Sequence, residues 1–267
     1  MYVSRTARYI LATFTTLVLV ALYFPILYIA RISFNKARGF AWPPQGFTLQ
    51  WWRATYHASG PRDALFRSLE TAVLASAIAL LLGTLASFAL TRYRFFGRSA
   101  VSFIAILPIA LPGIVTGIAL NSGYHRVGIN LSLFTLVVAH ATFCIVIVFN
   151  NVAARLRRLS PSLEEASADL GADIFQTFGY ITFPLMRSAL LAGGLLAFAL
   201  SFDEIVVTTF TAGSGFETLP LWIFNNMFRP NNLPLVNVVA TVVVVLSIVP
   251  VYFAQRLSDG AVGASGR

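Results

Sequence analysis

Charge is scarce in this chain: of 267 residues, 11% are Asp, Glu, Lys or Arg, against about 25% in an average soluble domain. Apolar residues make up 57%, and the mean hydropathy is +0.77. A chain of that composition is expected to be embedded in lipid. There is one cysteine, Cys144, inside an apolar run, so a disulfide within the chain is excluded and no metal cluster is suggested. The three histidines, His57, His125 and His140, stand too far apart for a ligand motif. The one lysine is Lys36, and G-x-x-x-x-G-K-[ST] does not occur, so the chain is not its own P-loop ATPase. H-E-x-x-H and G-x-S-x-G are missing too, which leaves an intramembrane protease or esterase without a metal site or a nucleophile. No catalytic residue, no metal and no cofactor bound by this chain is expected.

Apolar runs supply what charge does not. A span needs about twenty apolar residues, and six are read at roughly 9–30, 66–90, 99–120, 131–154, 182–210 and 234–255. The first run is too long for a cleavable signal and lacks a small-residue cleavage site, so it is kept as a span. The expected organisation is a first span with an external interfacial segment (1–65), a core of five spans (66–256) with a polar loop at 155–181, and a cytoplasmic tail (257–267). In the external segment Trp42, Trp51 and Trp52 suit an interfacial helix with its rings at headgroup depth. The net charge of +9 sits in the short segments between spans, where anionic lipid headgroups are the fitting counter-charge, not nucleic acid. Arg92, Arg94 and Arg98, with Arg155, Arg157 and Arg158, favour a cytoplasmic location for their loops. Arg31, Lys36, Arg38, Arg53 and Arg62 would then lie outside, so charge alone orients the chain only weakly.

Two spans carry features beyond packing. The third reads FIAILPIALPGIVTGIAL. Pro108 and Pro112 lack an amide hydrogen and crowd the carbonyl four residues earlier, and Gly113 and Gly117 weaken the helix further. It reads either as a kinked packing helix or as a break lining a path, where freed carbonyls suit a cation. The fifth holds adjacent Asp203 and Glu204 in AFALSFDEIVVTTF. Charge at mid-span costs about 2.5–3.5 kcal/mol on insertion scales, so such groups face a cavity or a partner. Neighbours on a helix point about 100° apart, so the two carboxylates divide their work. Asp203 is expected to face the path and Glu204 to hold structure; an ion pair with a neighbouring Arg is the alternative. Phe198 and Phe202 add aromatic faces nearby, and Trp222 suits either an outer gate or an interfacial anchor. Along the second span Ala75, Ala79, Gly83 and Ser87 recur every four residues, a pattern for close helix packing.

The most informative segment is the polar elbow RLSPSLEEASADLGADIFQTFGYITFP. Pro161 suits the first helical position with Ser160 as its cap. Glu164, Glu165 and Asp169 follow in a short helix that Gly171 ends after Leu170. After Ala172, Asp173 with Gln176 reads as the cap of a second short helix.

At these residues the chain resembles importer-type ATP-binding-cassette (ABC) permeases, whose coupling loop runs Glu-Ala-Ala, three residues, Gly, nine residues, Ile-x-Leu-Pro. Here the pattern stands as Glu165, Ala166, Ser167, Gly171, Ile181, Phe183 and Pro184. Ser167 and Phe183 depart from it. PPQGFTLQWW, LPIALPGIVTGIAL, HATFCIVIVFNN, SALLAGG and FALSFDEIVVTTFTAG extend the resemblance over most of the chain, to the spermidine/putrescine branch. The resemblance implies an all-α membrane protein of six transmembrane helices (the MetI-like fold) with a coupling loop on the cytoplasmic side of a bacterial inner membrane and both termini cytoplasmic. It implies a homologous permease subunit as partner, two cytosolic ATPases carrying ATP and Mg, and an external solute-binding protein. Uptake of polyamines is the implied activity, with an opine or amino-acid-like cation as the alternative solute. A lone ion-coupled carrier would need inverted repeats and acids spread over several spans, and neither is evident. A membrane scaffold that recruits a partner through the elbow, without transport, is a further alternative, which substrate-stimulated ATP hydrolysis would separate.

Overall fold

The computed structural model describes residues 4–39, 43 and 45–263; Trp42 and the last residues of the tail lie outside them. Helices follow one another as α1 (Arg5–Ile32), α2 (Gln50–His57), α3 (Ser59–Arg92), α4 (Arg98–Ala110), α5 (Gly113–Arg126) and α6 (Leu133–Leu156). After them come α7 (Ser162–Asp169), α8 (Ile174–Thr177), a π-helical turn (Phe178–Thr182), α9 (Phe183–Phe202), α10 (Val206–Thr211), α11 (Leu219–Asn226) and α12 (Leu233–Gly263). The extended pairing among the described residues is an isolated antiparallel bridge between Asn35 and Phe47. Among the described residues four helical segments are long and apolar enough to cross a bilayer: α1, α3, α6 and the continuous run Ile174–Phe202.

The other two expected spans take a different form. The third is interrupted: α4 ends at Ala110, and Leu111 and Pro112 are extended (ψ 140° and 134°) before α5 begins. The residue before a proline is pushed out of the helical region, and Pro112 has no hydrogen to give the Pro108 carbonyl. The sixth is the long α12, whose described apolar stretch is Leu233–Ile248. The fifth stops at Phe202 instead of running to 210, and α10 restarts after a three-residue break.

The chain forms two compact units, Met1–Arg62 with Trp222–Arg267, and Asp63–Leu221. In the first, α12 packs against α1 and α2. The Trp51 indole donates to the Asn35 carbonyl (3.0 Å) and Trp52 stacks on Phe34 (5.0 Å between centroids). Both rings therefore staple their own segment.

The second unit is organised on α6. Leu136, His140, Cys144, Val148, Val152 and Leu156 form a seam at four-residue spacing, each wholly buried (0% exposed). Residues four apart share a helix face, so this face turns entirely inward. Ala79 of α3, Met186 and Ala197 of α9 and Val207 of α10 pack into the same core. The small-residue stripe of α3 lies there: Ala75, Ala79 and Ser87 are fully buried. Ser87 donates to both its own helix (Gly83 O, 2.7 Å) and α6 (Phe149 O, 3.0 Å).

Candidate functional site

The two interruptions lie against each other. A Cβ added to Gly113, the first residue of α5, would sit 3.6 Å from the Val206 side chain at the start of α10, and one on Gly117 would meet the Phe210 ring at 2.8 Å. These glycines let α5 lie directly along α10, and Asn121 of α5 donates to the Phe210 carbonyl (2.5 Å). The break between α4 and α5 thus lies against the break between α9 and α10, an arrangement tolerated at membrane depth where backbone meets protein or a cavity.

Asp203 and Glu204 sit in the second break. Asp203 caps the C-terminus of α9, its N–H bonded to Ala199 O at 3.1 Å, and its side chain is exposed. Glu204 is half-buried, and its Oε1 accepts from the Val207 amide at 2.8 Å. Its carboxylate takes up an orphan donor of α10 and meets the positive end of that short helix. The two acids thus differ in setting, Glu204 tied to backbone and Asp203 open. Among the described residues no Arg or Lys comes within ion-pair distance of either, in contrast to the Arg-bridged alternative. Phe198 and Phe202 stack on one another, with centroids 6.0 Å apart and planes at 21°, on the helix that ends at Asp203. Pro108 lies within α4 and Pro112 forms the break. Trp222 belongs to the other unit, is buried, and has its indole over Gly60.

Sequence reasoning passed over His140. Its Nδ1 lies 2.8 Å from Ser201 Oγ on α9 and its Nε2 2.9 Å from Thr208 Oγ1 on α10. The signal was available: a histidine in an apolar run needs partners, and Ser201 and Thr208 flank the acidic pair. Arg67 bonds the Gly215 carbonyl and lies 4.8 Å over the Phe216 ring; among the described residues no ion pair joins it to Glu70.

The elbow forms as its residues dictate. The first helix begins one residue later than expected, at Ser162: Pro161, with helical dihedral angles, takes the cap position, and the Ser160 hydroxyl accepts from the Ser162 amide (3.3 Å). Gly171 turns left-handed at φ +83°, where L side chains are strained. Asp173 and Gln176 cap reciprocally, with bonds of 2.8 and 2.9 Å. The second short helix does not stand apart, because it runs through the π turn into α9. Pro184 lacks a hydrogen for the Tyr180 carbonyl, and the wider turn, with Phe183 N–H on Phe178 O, absorbs the defect.

Two side chains clamp the elbow from within. Glu164 pairs with Arg92 at the end of α3 (3.1 Å) and accepts from Thr182 (3.4 Å). Ser167, the departure from the Ala of the family pattern, bonds Thr177 of α8 (2.9 Å). The other departure, Phe183, packs on Phe178 (6.1 Å). Glu165, Ala166, Asp169, Leu170 and Gly171 are exposed, and Ala172 is half-buried. Leu170, Ile174 and Phe175 are 89%, 84% and 87% exposed, an apolar cap on a polar loop. Apolar surface of that kind, rimmed by polar residues, suits a contact with a protein or with the membrane surface.

Comparisons with known proteins point one way. A family described as "Binding-protein-dependent transport system inner membrane component" matches residues 79–263. The spermidine/putrescine transport system permease protein PotC of Escherichia coli (strain K12) is 37% identical over 255 residues, 95% of this chain and 96% of that protein. The putrescine transport system permease protein PotI of the same strain is 34% identical over 230 residues, 83% of this chain and 81% of that one. Among solved structures, a chain of a bacterial ABC transporter involved in the import of the acidic polysaccharide alginate matches with a TM-score of 0.71. That match covers 97% of this chain and 99% of that one at 19% identity, a likeness of fold.

Proposed function

The chain belongs to the family of binding-protein-dependent transport system inner membrane components, among the spermidine/putrescine ABC permeases, and from that premise we propose that it lines half of the path by which an ATP-driven importer takes up polyamines. It is a transport subunit of the inner membrane, not an enzyme. As such it works with an ATPase and a solute-binding protein. The finer assembly is part of the proposal: a homologous permease completes the path, and two cytosolic ATPases hold ATP and Mg. The binding protein delivers solute from outside, and both termini face the cytoplasm. Six spans follow when the interrupted α4–α5 counts as one and α12 as the last.

The observation that carries the solute reading is Asp203, an exposed carboxylate at a break in one span that packs against a break in another. A polyamine is a flexible polycation, and carboxylate, backbone carbonyls and aromatic faces are the groups that replace its water. Phe198 and Phe202 supply the faces. The elbow supports the coupling half of the reading. ATP binding closes the ATPases around the cap of Leu170, Ile174 and Phe175, with Glu165, Ala166 and Asp169 beside it. Glu164 and Ser167 hold that cap rigid against Arg92 and Thr177. Because α8 continues into α9, a push there moves the helix that ends at Asp203, and the spans rock between outward and inward access.

The test is ATP-dependent uptake of labelled spermidine and putrescine by the assembled complex in vesicles, wild type beside Asp203→Asn. Losing a charge-assisted contact predicts a fall in uptake of about tenfold or more in the variant. Wild-type complex that moves neither polyamine removes the solute assignment and turns attention to opines and amino acids.

A further inference from the structure

We propose that His140 is a positioning residue for the Asp203 carboxylate, a splint that joins the two halves of the fifth span across the break on which Asp203 sits. The inference rests on the solute-path reading of Asp203 and extends it to a side chain that never meets solute.

The hydrogen bonds have a direction. Thr208 spends its hydroxyl hydrogen on the Glu204 carbonyl at 2.8 Å, a carbonyl within the break. Its oxygen is then the acceptor for His140, so Nε2 carries the ring proton (2.9 Å). Nδ1 is left as an acceptor, and Ser201 donates to it (2.8 Å). The chain therefore runs from the last turn of α9 through a ring on α6 to α10 and back to the break. Residues 203–205 are the part of the fifth span it straddles.

Other polar contacts fix α10 but not its tie to α9; otherwise the two meet through apolar packing on α6. Glu204 caps its N-terminus. Asn121 and Thr135 take the Phe210 and Thr211 carbonyls at its other end (2.5 and 3.0 Å). Asp203 is tied to α9 by its backbone bond to Ala199, so where its carboxylate stands against α10, and against the α5 start that α10 packs on, follows the relative placement of the two half-helices. His140 is wholly buried in the α6 seam, where a polar ring without partners would be costly, and it finds one partner on each side of the break.

The experiment measures KM and kcat for spermidine uptake by the reconstituted complex. His140→Phe keeps a ring and loses both bonds. Thr208→Val and Ser201→Ala each cut one arm with little change of volume. His140→Gln restores a donor and an acceptor on one carbon, as the imidazole carries them. Losing a buried hydrogen bond predicts that His140→Phe and Thr208→Val raise KM about tenfold while kcat changes less than about twofold. His140→Gln recovers most of the loss, and His140→Phe adds nothing in an Asp203→Asn background. A His140→Phe effect of equal factor in both backgrounds overturns the splint and leaves the path reading standing. An Asp203→Asn variant with wild-type KM brings down the path reading, and the splint with it. Should His140→Phe fail to assemble, Thr208→Val and Ser201→Ala decide: wild-type KM in both overturns the proposal.

Discussion

Gly83 has no room for a side chain. A Cβ there would stand 2.9 Å from the Ile145 carbonyl oxygen and 2.9 Å from Val148 Cβ, with backbone on one side and a seam residue on the other. Overpacking of a tight core costs about 1–3 kcal/mol, and here the obstructing oxygen belongs to α6 and cannot swing away. Gly83→Ala is therefore expected to lower the thermal unfolding midpoint of the purified protein, whereas Gly123→Ala, with open space around its Cβ, leaves it near the wild-type value. The stripe of small residues was legible in the sequence because its four-residue spacing is a one-dimensional signal. Which member tolerates nothing was not, since that depends on where α6 lies. His140 illustrates the same limit. Its partners are 61 and 68 residues away, so spacing rules that look for ligands nearby pass over it. Asp203 and Glu204 needed no such distance. Two acids in an apolar run announce themselves, whereas the tie of Glu204 to the Val207 amide and the exposure of Asp203 show only in three dimensions.

At the scale of elements, legibility followed locality. The elbow was readable almost residue by residue, because capping by Asp173 and Gln176 and the left-handed turn at Gly171 are settled within a few positions. Its inner clamp was not, since Glu164 reaches Arg92 across 72 residues. The prolines of the third span marked a disruption, and only three dimensions show that Pro108 is carried inside α4 while Pro112 breaks the helix. The end of the fifth span was misplaced by hydropathy, which runs on through Val206 and Val207 although the helix has stopped. The break at Pro112 is a device the sequence imposes, and Pro112→Ala tests it. Alanine supplies the missing hydrogen to the Pro108 carbonyl and frees Leu111 to become helical. The expected outcome is a continuous α4–α5, seen as slowed amide exchange over residues 111–114. Uptake falls by about tenfold with it, a bias that one buried hydrogen bond suffices to produce. Wild-type uptake with the helix closed would detach the break from transport.

For the whole molecule the open matter is which way it faces. Counting cations divides them between the two sides, and the structure shows how they are held. Arg31 lies 5.3 Å over the Phe47 ring, and Arg38 donates to Asn231 Oδ1 (3.2 Å) and sits 6.0 Å over the Trp51 ring. Guanidinium groups held on aromatic faces are less free to seek lipid phosphates. Arg157 and Arg158 follow α6 exposed, as Arg94 follows α3. Lys36 and Arg53, which the expected topology places outside, are exposed as well, so the positive-inside rule still divides the cations and orients the chain only weakly. What favours a cytoplasmic elbow is the proposed function, in which the apolar cap of Leu170, Ile174 and Phe175 meets an ATPase in the cytosol. Single thiols decide the matter, since Cys144 is wholly buried and stays silent. Gln50→Cys and Ser162→Cys both put an exposed thiol on a short helix, one on α2 and one on α7. A membrane-impermeant maleimide is expected to label the first in intact spheroplasts, and the second only in inverted vesicles stripped of peripheral protein. The reverse pattern would turn the molecule over and place the elbow out of reach of any ATPase.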